Sequence, residues 1–228
     1  MMQRLFLYLD EEEWIGAQLA SLRETVAAAV LRGRETVHVC LSGGRTPEPV
    51  YRNLAADTFL QESAGKLELH FWVGDERDMP LGHKDRNDTM IAAALSGILP
   101  VSRFHPWPAG GSDSACRAYG EELRAALGPE PIFDFTFLGM GADGHTAGIF
   151  NPDYELAQGG RLAHPSESPL YPRSRMTLAP WVLRNSARIV VGLRGEDKKK
   201  ALEAALEDRS SPIGYVAGEQ GTFYYLQS

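Results

Sequence analysis

Short apolar runs, each closed by glycine or polar residues, alternate along this chain with stretches of helical period. Residues 5–9 read as a strand, and Asp10, with Glu13 three residues on, opens a helix through about Leu31 that Gly33 ends. The acidic residues of its first turn suit the positive end of the helix dipole. Residues 36–41 and 67–73 predict two more strands. Between them a helix starts at Pro47 with Thr46 as its cap. A helix over about 88–95, a loop over 104–111 and a helix capped by Ser112 and running to Leu127 come next. Residues 135–138 form a short buried strand. Residues 151–173, rich in Pro, Gly and Ser, read as a long loop or flap. The remainder predicts a strand at 175–178, a short helix at 180–185 and a strand at 187–193. A helix from Gly195 through about Glu207 and a last strand at 222–226 complete it. Strands alternating with helices predict an α/β fold, a mostly parallel sheet flanked by helices on both faces. A length of 228 residues suits one domain, 1–228.

Composition narrows the class. A hydrophobic share of 43% and a charged share of 23% are those of a globular protein with a full core. The net charge of −7 argues against nucleic acid or an anionic membrane as partner, so any anion must meet cations gathered at one site. Cys40 and Cys116 form neither a CxxC nor a zinc pattern and are too few for a disulfide framework. The apolar run at 5–9 is too short for a signal or membrane segment and is followed by Asp10-Glu11-Glu12-Glu13. The expectation is a cytoplasmic monomer or small homo-oligomer.

Candidate chemistry clusters where strands end, the place at which open α/β sheets bind ligands. After strand 135–138 comes Gly139-Met140-Gly141-Ala142-Asp143-Gly144-His145, a loop that lets a ligand approach the backbone. Isolated Asp-Gly-His triplets are commonly surface pairs; the other motifs of the chain give this one weight. Strand 36–41 runs into Ser42-Gly43-Gly44-Arg45-Thr46-Pro47, where free amide hydrogens and a helix start suit an anion. It is neither a Walker loop nor a dinucleotide fingerprint. Strand 67–73 ends in Gly74-Asp75-Glu76-Arg77, followed by His83, Arg86 and Asn87. Lys198 lies in the first turn of the helix after strand 187–193, a poor place for a cation unless an anion shares the site.

The blocks SGGRTP, VGDERDMPLGHKDRN and LGMGADGHTAGIF, the RMTL stretch from Arg175 and the GEDK stretch from Gly195 together resemble the 6-phosphogluconolactonases. That resemblance covers residues 42–198. It implies a modified Rossmann-like fold shared with amino-sugar-phosphate deaminases and ribose-phosphate isomerases. It also implies hydrolysis of 6-phosphogluconolactone to 6-phosphogluconate in the pentose phosphate pathway, with no nucleotide cofactor and no required metal. On matching positions, His145 would be the general base and Asp143 its neighbour. Ser42, Gly43, Gly44, Asp75, Glu76, Arg77, Arg175 and Lys198 would form the sugar-phosphate site. The chain departs from the family pattern at Arg86, where a serine is usual, and at Gly148 and Asn151, which replace serine and proline.

The chemistry fits on its own terms. A lactone is an activated ester, so an enzyme need only orient it, deprotonate water and stabilise an oxyanion, with no nucleophilic Ser or Cys. Ser42 is not in a G-x-S-x-G elbow. The nearest rival is a deaminase or isomerase of the same fold. Those deaminases carry a glutamate on the fifth residue after the histidine, where this chain has Phe150. A sugar-phosphate sensor that binds without turnover is the rival from another class.

Overall fold

The computed structural model describes residues 4–150, 160–207, 209–218 and 220–227. Strands β1 (Arg4–Tyr8), β2 (Thr36–Leu41), β3 (Glu68–Val73), β5 (Arg103–His105), β6 (Phe135–Leu138), β9 (Ile189–Arg194) and β10 (Gly221–Leu226) form one sheet. Its order is β1-β10-β9-β6-β2-β3-β5 and every pairing is parallel. A second, antiparallel sheet joins β4 (Asp75–Arg77), β8 (Ser174–Leu178) and β7 (Ala163–Glu167) in the order β4-β8-β7. Helices α1 (Glu11–Leu31), α2 (Glu48–Ala55), α3 (Thr58–Ser63) and α4 (Asn87–Ala94) touch one another as one layer. Helices α6 (Pro180–Arg184), α7 (Lys199–Glu207) and α8 (Pro212–Ala217) form another, and α5 (Ser112–Leu127) packs on β7 and β8.

The central strands are apolar end to end because a parallel sheet between helices has no wet face; all of β6 and nearly all of β2 are buried. Helix α1 begins where the Asp10 carboxylate accepts from the Glu13 amide at 2.9 Å. It is pinned to the sheet by Trp14, whose Nε1 donates to the Tyr224 carbonyl at 2.9 Å.

Several expectations need correction. Thr46 does not cap α2; the helix starts at Glu48 after Pro47, with no side-chain cap. Gly111 precedes α5, so Ser112 is its first helical residue rather than its cap. The expected loop at 104–111 begins inside edge strand β5, whose short polar sequence is made a strand by pairing with β3. Strand β7 lies inside the expected 151–173 loop, and residues 151–159, Asn151 among them, fall outside the described residues. Asp75-Glu76-Arg77, expected as a loop, is strand β4. Lys198 ends a 3₁₀ turn, Glu196–Lys198, ahead of α7. Helices α3 and α8 were not foreseen in the sequence pattern.

Below the carboxyl ends of the sheet, His70 and Trp72 of β3 stack on His105 of β5, and His38 of β2 is the register partner of His70, with ring centroids 4.4 Å apart. Trp72 Nε1 donates to His38 Nδ1 at 3.1 Å. An indole nitrogen only donates, so His38 is held neutral. Burial, reinforced by the neighbouring His70 and partly opposed by Asp134, pushes its pKa down to about 4. Between pH 6.5 and about 4 the unfolded chain therefore binds a proton that this folded imidazole refuses, and stability falls as pH drops through that window. The effect reaches at most about 1.4 kcal/mol per pH unit. Urea unfolding of the parent should lose more stability across this window than that of a His38→Gln chain; equal losses would assign the acid sensitivity to other groups.

Candidate active site

From the centre of the large sheet the chain leaves β2 toward β3 on one side and β6 toward β9 on the other. Such a reversal opens a crevice beyond the carboxyl ends of the two strands. A cavity of about 350 Å³ occupies it and is lined by Ser42, Gly43, Gly44, Asp75, Arg77, Asp143, His145, Arg175 and Lys198. Of the residues expected to form the sugar-phosphate site only Glu76 stands apart from this lining, and His83 and Arg86 lie outside it too.

The glycine-rich loop after β6 folds back on itself. Gly141 donates to the His145 carbonyl at 2.8 Å, Gly144 (φ 82°) donates to Gly141 at 3.1 Å, and Thr146 Oγ1 donates to Gly139 at 2.8 Å. A side chain at Gly141 would collide with both Asp143 and His145. A Cβ there would lie 2.1 Å from His145 Nδ1 and 2.4 Å from Asp143 Oδ1. Asp143 Oδ1 accepts from His145 Nδ1 at 2.6 Å and from the His145 amide at 3.2 Å. With Nδ1 as donor, Nε2 of a neutral imidazole carries the free lone pair. Partial burial works against the Asp143 carboxylate, yet the hydrogen bonds from His145 hold its pKa below the ordinary value. The other face of the His145 ring meets Phe150, with centroids 4.8 Å apart.

One wall comes from the small sheet. After Gly74 the chain leaves β3 and pairs as β4 with β8, so Asp75 lies opposite Thr177 and Arg77 opposite Arg175. Residues i and i+2 of a strand share a face, which puts Asp75, Arg77 and Arg175 side by side on the cavity. Burial pushes the Asp75 carboxyl up, against the pull of Arg77, Arg175 and His145. Burial and the adjacent Arg77 lower the pKa of Arg175. No carboxylate ion-pairs with either arginine among the described residues. Arg77 donates to the Asp85 carbonyl and Arg175 Nε to the Pro172 carbonyl at 2.8 Å.

Glu76, on the opposite face of β4, is fully buried and receives the amides of Arg77 (2.7 Å), Asn87 (2.6 Å) and Asp88 (2.8 Å). It caps α4 from outside the cavity. Burial and the nearby Asp88 push its carboxyl up to about 7, against those three donors. Arg86, one of the departures noted from the sequence resemblance, makes a buried forked pair with Asp88 and donates to the Met79 (2.8 Å) and Trp107 (2.7 Å) carbonyls. The departure therefore fastens the 79–88 loop. Gly148 fits closely too: a Cβ would meet Ser166 Oγ and Thr177 Cβ at 2.9 Å.

The Ser-Gly-Gly turn adjoins this wall, since β2 and β3 run side by side. Ser42 is spent on the fold, its hydroxyl donating to Phe137 O (2.9 Å) and its amide to Tyr51 Oη (3.1 Å). The amides of Gly43 and Gly44 have no partner among the described residues, which suits an anion. Gly43 is obligatory here, since a Cβ would lie 1.9 Å from Asn87 Oδ1. Asn87 Nδ2 donates to the Asp75 carbonyl at 2.7 Å, leaving its buried Oδ1 unpartnered against the turn. Lys198, 3.5 Å from Asp197, completes this rim together with Arg45 and Arg194. Arg45, Asn87, Phe150, Arg194 and the 168–171 turn line the cavity as well. Arg45, Asn87 and Phe150 belong to the motif blocks of the sequence, whereas Arg194 and the 168–171 turn gave no such signal and reach the cavity only through the fold.

Neither cysteine offers a nucleophile, since both are buried and burial pushes their thiols up, that of Cys116 to about 12. Among the described residues no group of three or more His, Cys, Asp or Glu could hold a metal ion, and no helix is long and apolar enough to cross a membrane.

Comparison with known proteins agrees with this geometry. The family model for glucosamine-6-phosphate isomerases/6-phosphogluconolactonase matches residues 10–225. A 6-phosphogluconolactonase of Thermotoga maritima is 31% identical, with 99% of each chain covered. One from Synechocystis is 34% identical over 82% of this chain and 77% of its own. The crystal structure of 6-phosphogluconolactonase from Thermotoga maritima superposes with a TM-score of 0.84 at 28% identity, covering 99% of this chain and 100% of that one. With the family model spanning nearly the whole chain and a relative 31% identical over 99% of both chains, this protein belongs to the glucosamine-6-phosphate isomerase/6-phosphogluconolactonase family.

Proposed function

We propose that the protein hydrolyses 6-phosphogluconolactone to 6-phosphogluconate, using His145 as general base. The observation that carries this is the Asp143–His145 pair, a 2.6 Å hydrogen bond that leaves the second imidazole nitrogen free in a cavity lined with cations. His145 Nε2 takes a proton from water as the oxygen attacks the lactone carbonyl. The resulting oxyanion forms beside Arg77 and Arg175, and collapse of the tetrahedral intermediate expels the ring oxygen. That oxygen receives the proton back from the imidazolium, so His145 serves as base and then acid. A positioned base contributes about 10²–10⁴-fold, and a preorganised oxyanion donor about 10²–10³-fold. The Ser-Gly-Gly turn with Lys198 and Arg45 receives the phosphate at the far rim. The 6-phosphogluconolactonase relatives and the absence of a carboxylate at Phe150 favour hydrolysis over amino-sugar isomerisation or deamination. That position carries a phenyl ring packed on His145.

His145→Ala should lower kcat by about 10²–10⁴-fold after subtraction of spontaneous opening, with 6-phosphogluconate affinity by calorimetry retained. A variant that turns over within a few-fold of the parent would remove His145 from the base role.

Lys198→Ala should cost about ten- to a hundredfold in kcat/KM on the phosphorylated lactone, the worth of one charge-assisted contact, and little on unphosphorylated gluconolactone. Equal losses on both lactones would make Lys198 a support of the fold instead of a phosphate ligand.

A further inference from the structure

The mouth of the cavity carries an apolar feature that neither the base nor the cations use. Between β7 and β8, the turn Ser168-Pro169-Leu170-Tyr171 lines the cavity, yet Leu170 is 74% and Tyr171 80% exposed. Large apolar side chains held this open bury nothing in the fold. The turn itself is firmly built: Ser168 donates its amide to Arg173 at 2.8 Å, and Leu170 donates to Ser168 Oγ at 3.1 Å. It is also tied to the site, because Arg175, on the cavity wall, donates Nε to Pro172 O at 2.8 Å. Phe150, packed on His145, is another aromatic ring in the lining.

We infer that Tyr171, with Leu170 beside it, packs on the C–H face of the six-membered lactone ring and so selects the cyclic substrate over the open-chain product. The inference rests on the lactonase reading above and deepens it. A pyranose-like lactone presents hydroxyls around its edge and apolar C–H groups on its faces. The arginines, Asp75 and the Ser-Gly-Gly turn suit the edge and the phosphate, and an aromatic ring at the mouth suits a face. The product, an extended and hydrated polyol with a new carboxylate, has no such fixed face. Loss of ring contact on opening would also favour product release.

The test measures KM for 6-phosphogluconolactone and the inhibition constant of 6-phosphogluconate in the parent, Tyr171→Ala and Tyr171→Phe. Tyr171→Ala should raise KM about three- to tenfold, the range of an aromatic face contact, with the product constant unchanged. Tyr171→Phe should match the parent. At 80% exposure neither change disturbs the core, and melting temperatures should be equal. An unchanged KM in Tyr171→Ala would overturn the inference. So would a common rise in both constants, which would indicate a structural effect on Arg175, or a loss in Tyr171→Phe, which would point to the hydroxyl. A parent that opens no lactone would overturn the lactonase reading itself, and is told apart by that absence of turnover.

Discussion

The arrangement depends on two strands nearly a hundred residues apart lying side by side. The β2–β6 ladder itself is short, pairing Val39 with Phe135 and Cys40 with Thr136. Side chains extend it at both ends. At the entry end Asp134 accepts from the His38 amide at 2.8 Å and pairs with Arg34, while its own amide donates to His38 O at 2.9 Å. At the exit end the Ser42 hydroxyl donates to Phe137 O. These bonds set the Ser-Gly-Gly turn against the Asp-Gly-His loop, and the cavity is the space between them.

The second sheet supplies what the first cannot. A parallel sheet delivers loops from its strand ends but no flat wall, whereas β4 and β8 present alternating side chains as a surface. One face carries Asp75, Arg77 and Arg175 to the cavity. The other carries Glu76 into a buried cluster with Arg86 and Asp88, in which every oxygen of Glu76 meets backbone donors at the start of α4. Buried ion pairs add little net stability and cost much when broken. What this one supplies is a fixed position for Asn87 and the 79–88 loop at the cavity edge.

Electrostatics follow from this placement. The chain carries −7 overall, yet five cationic side chains (Arg45, Arg77, Arg175, Arg194 and Lys198) meet at the cavity. Arg77 and Arg175 are adjacent across the ladder, a repulsive arrangement that Asp75 offsets only in part. Charge held together at such a cost is characteristic of a site prepared for an anion.

Much of this was legible in the amino-acid sequence. Apolar runs located the strands of the parallel sheet, because burial on both faces demands apolar residues regardless of neighbours. Glycines ahead of Asp143, His145 and Asn87's neighbour Gly43 marked backbone that must be approached closely, and that demand is local. What pairing decides was not legible. Asp-Glu-Arg has the composition of a solvated loop and becomes a strand only because β8, a hundred residues on, supplies its partner. The same register sends Asp75 and Arg77 to the cavity and Glu76 away from it, a split that sequence neighbours cannot reveal. Edge strand β5 and strand β7 also exist through their partners rather than their own propensity. The sequence by itself determined the fold class and the Asp143–His145 pair, since both rest on local patterns. Only the tertiary structure decided which face of β4 lines the cavity and that Tyr171 stands at its mouth, since both depend on contacts between distant segments.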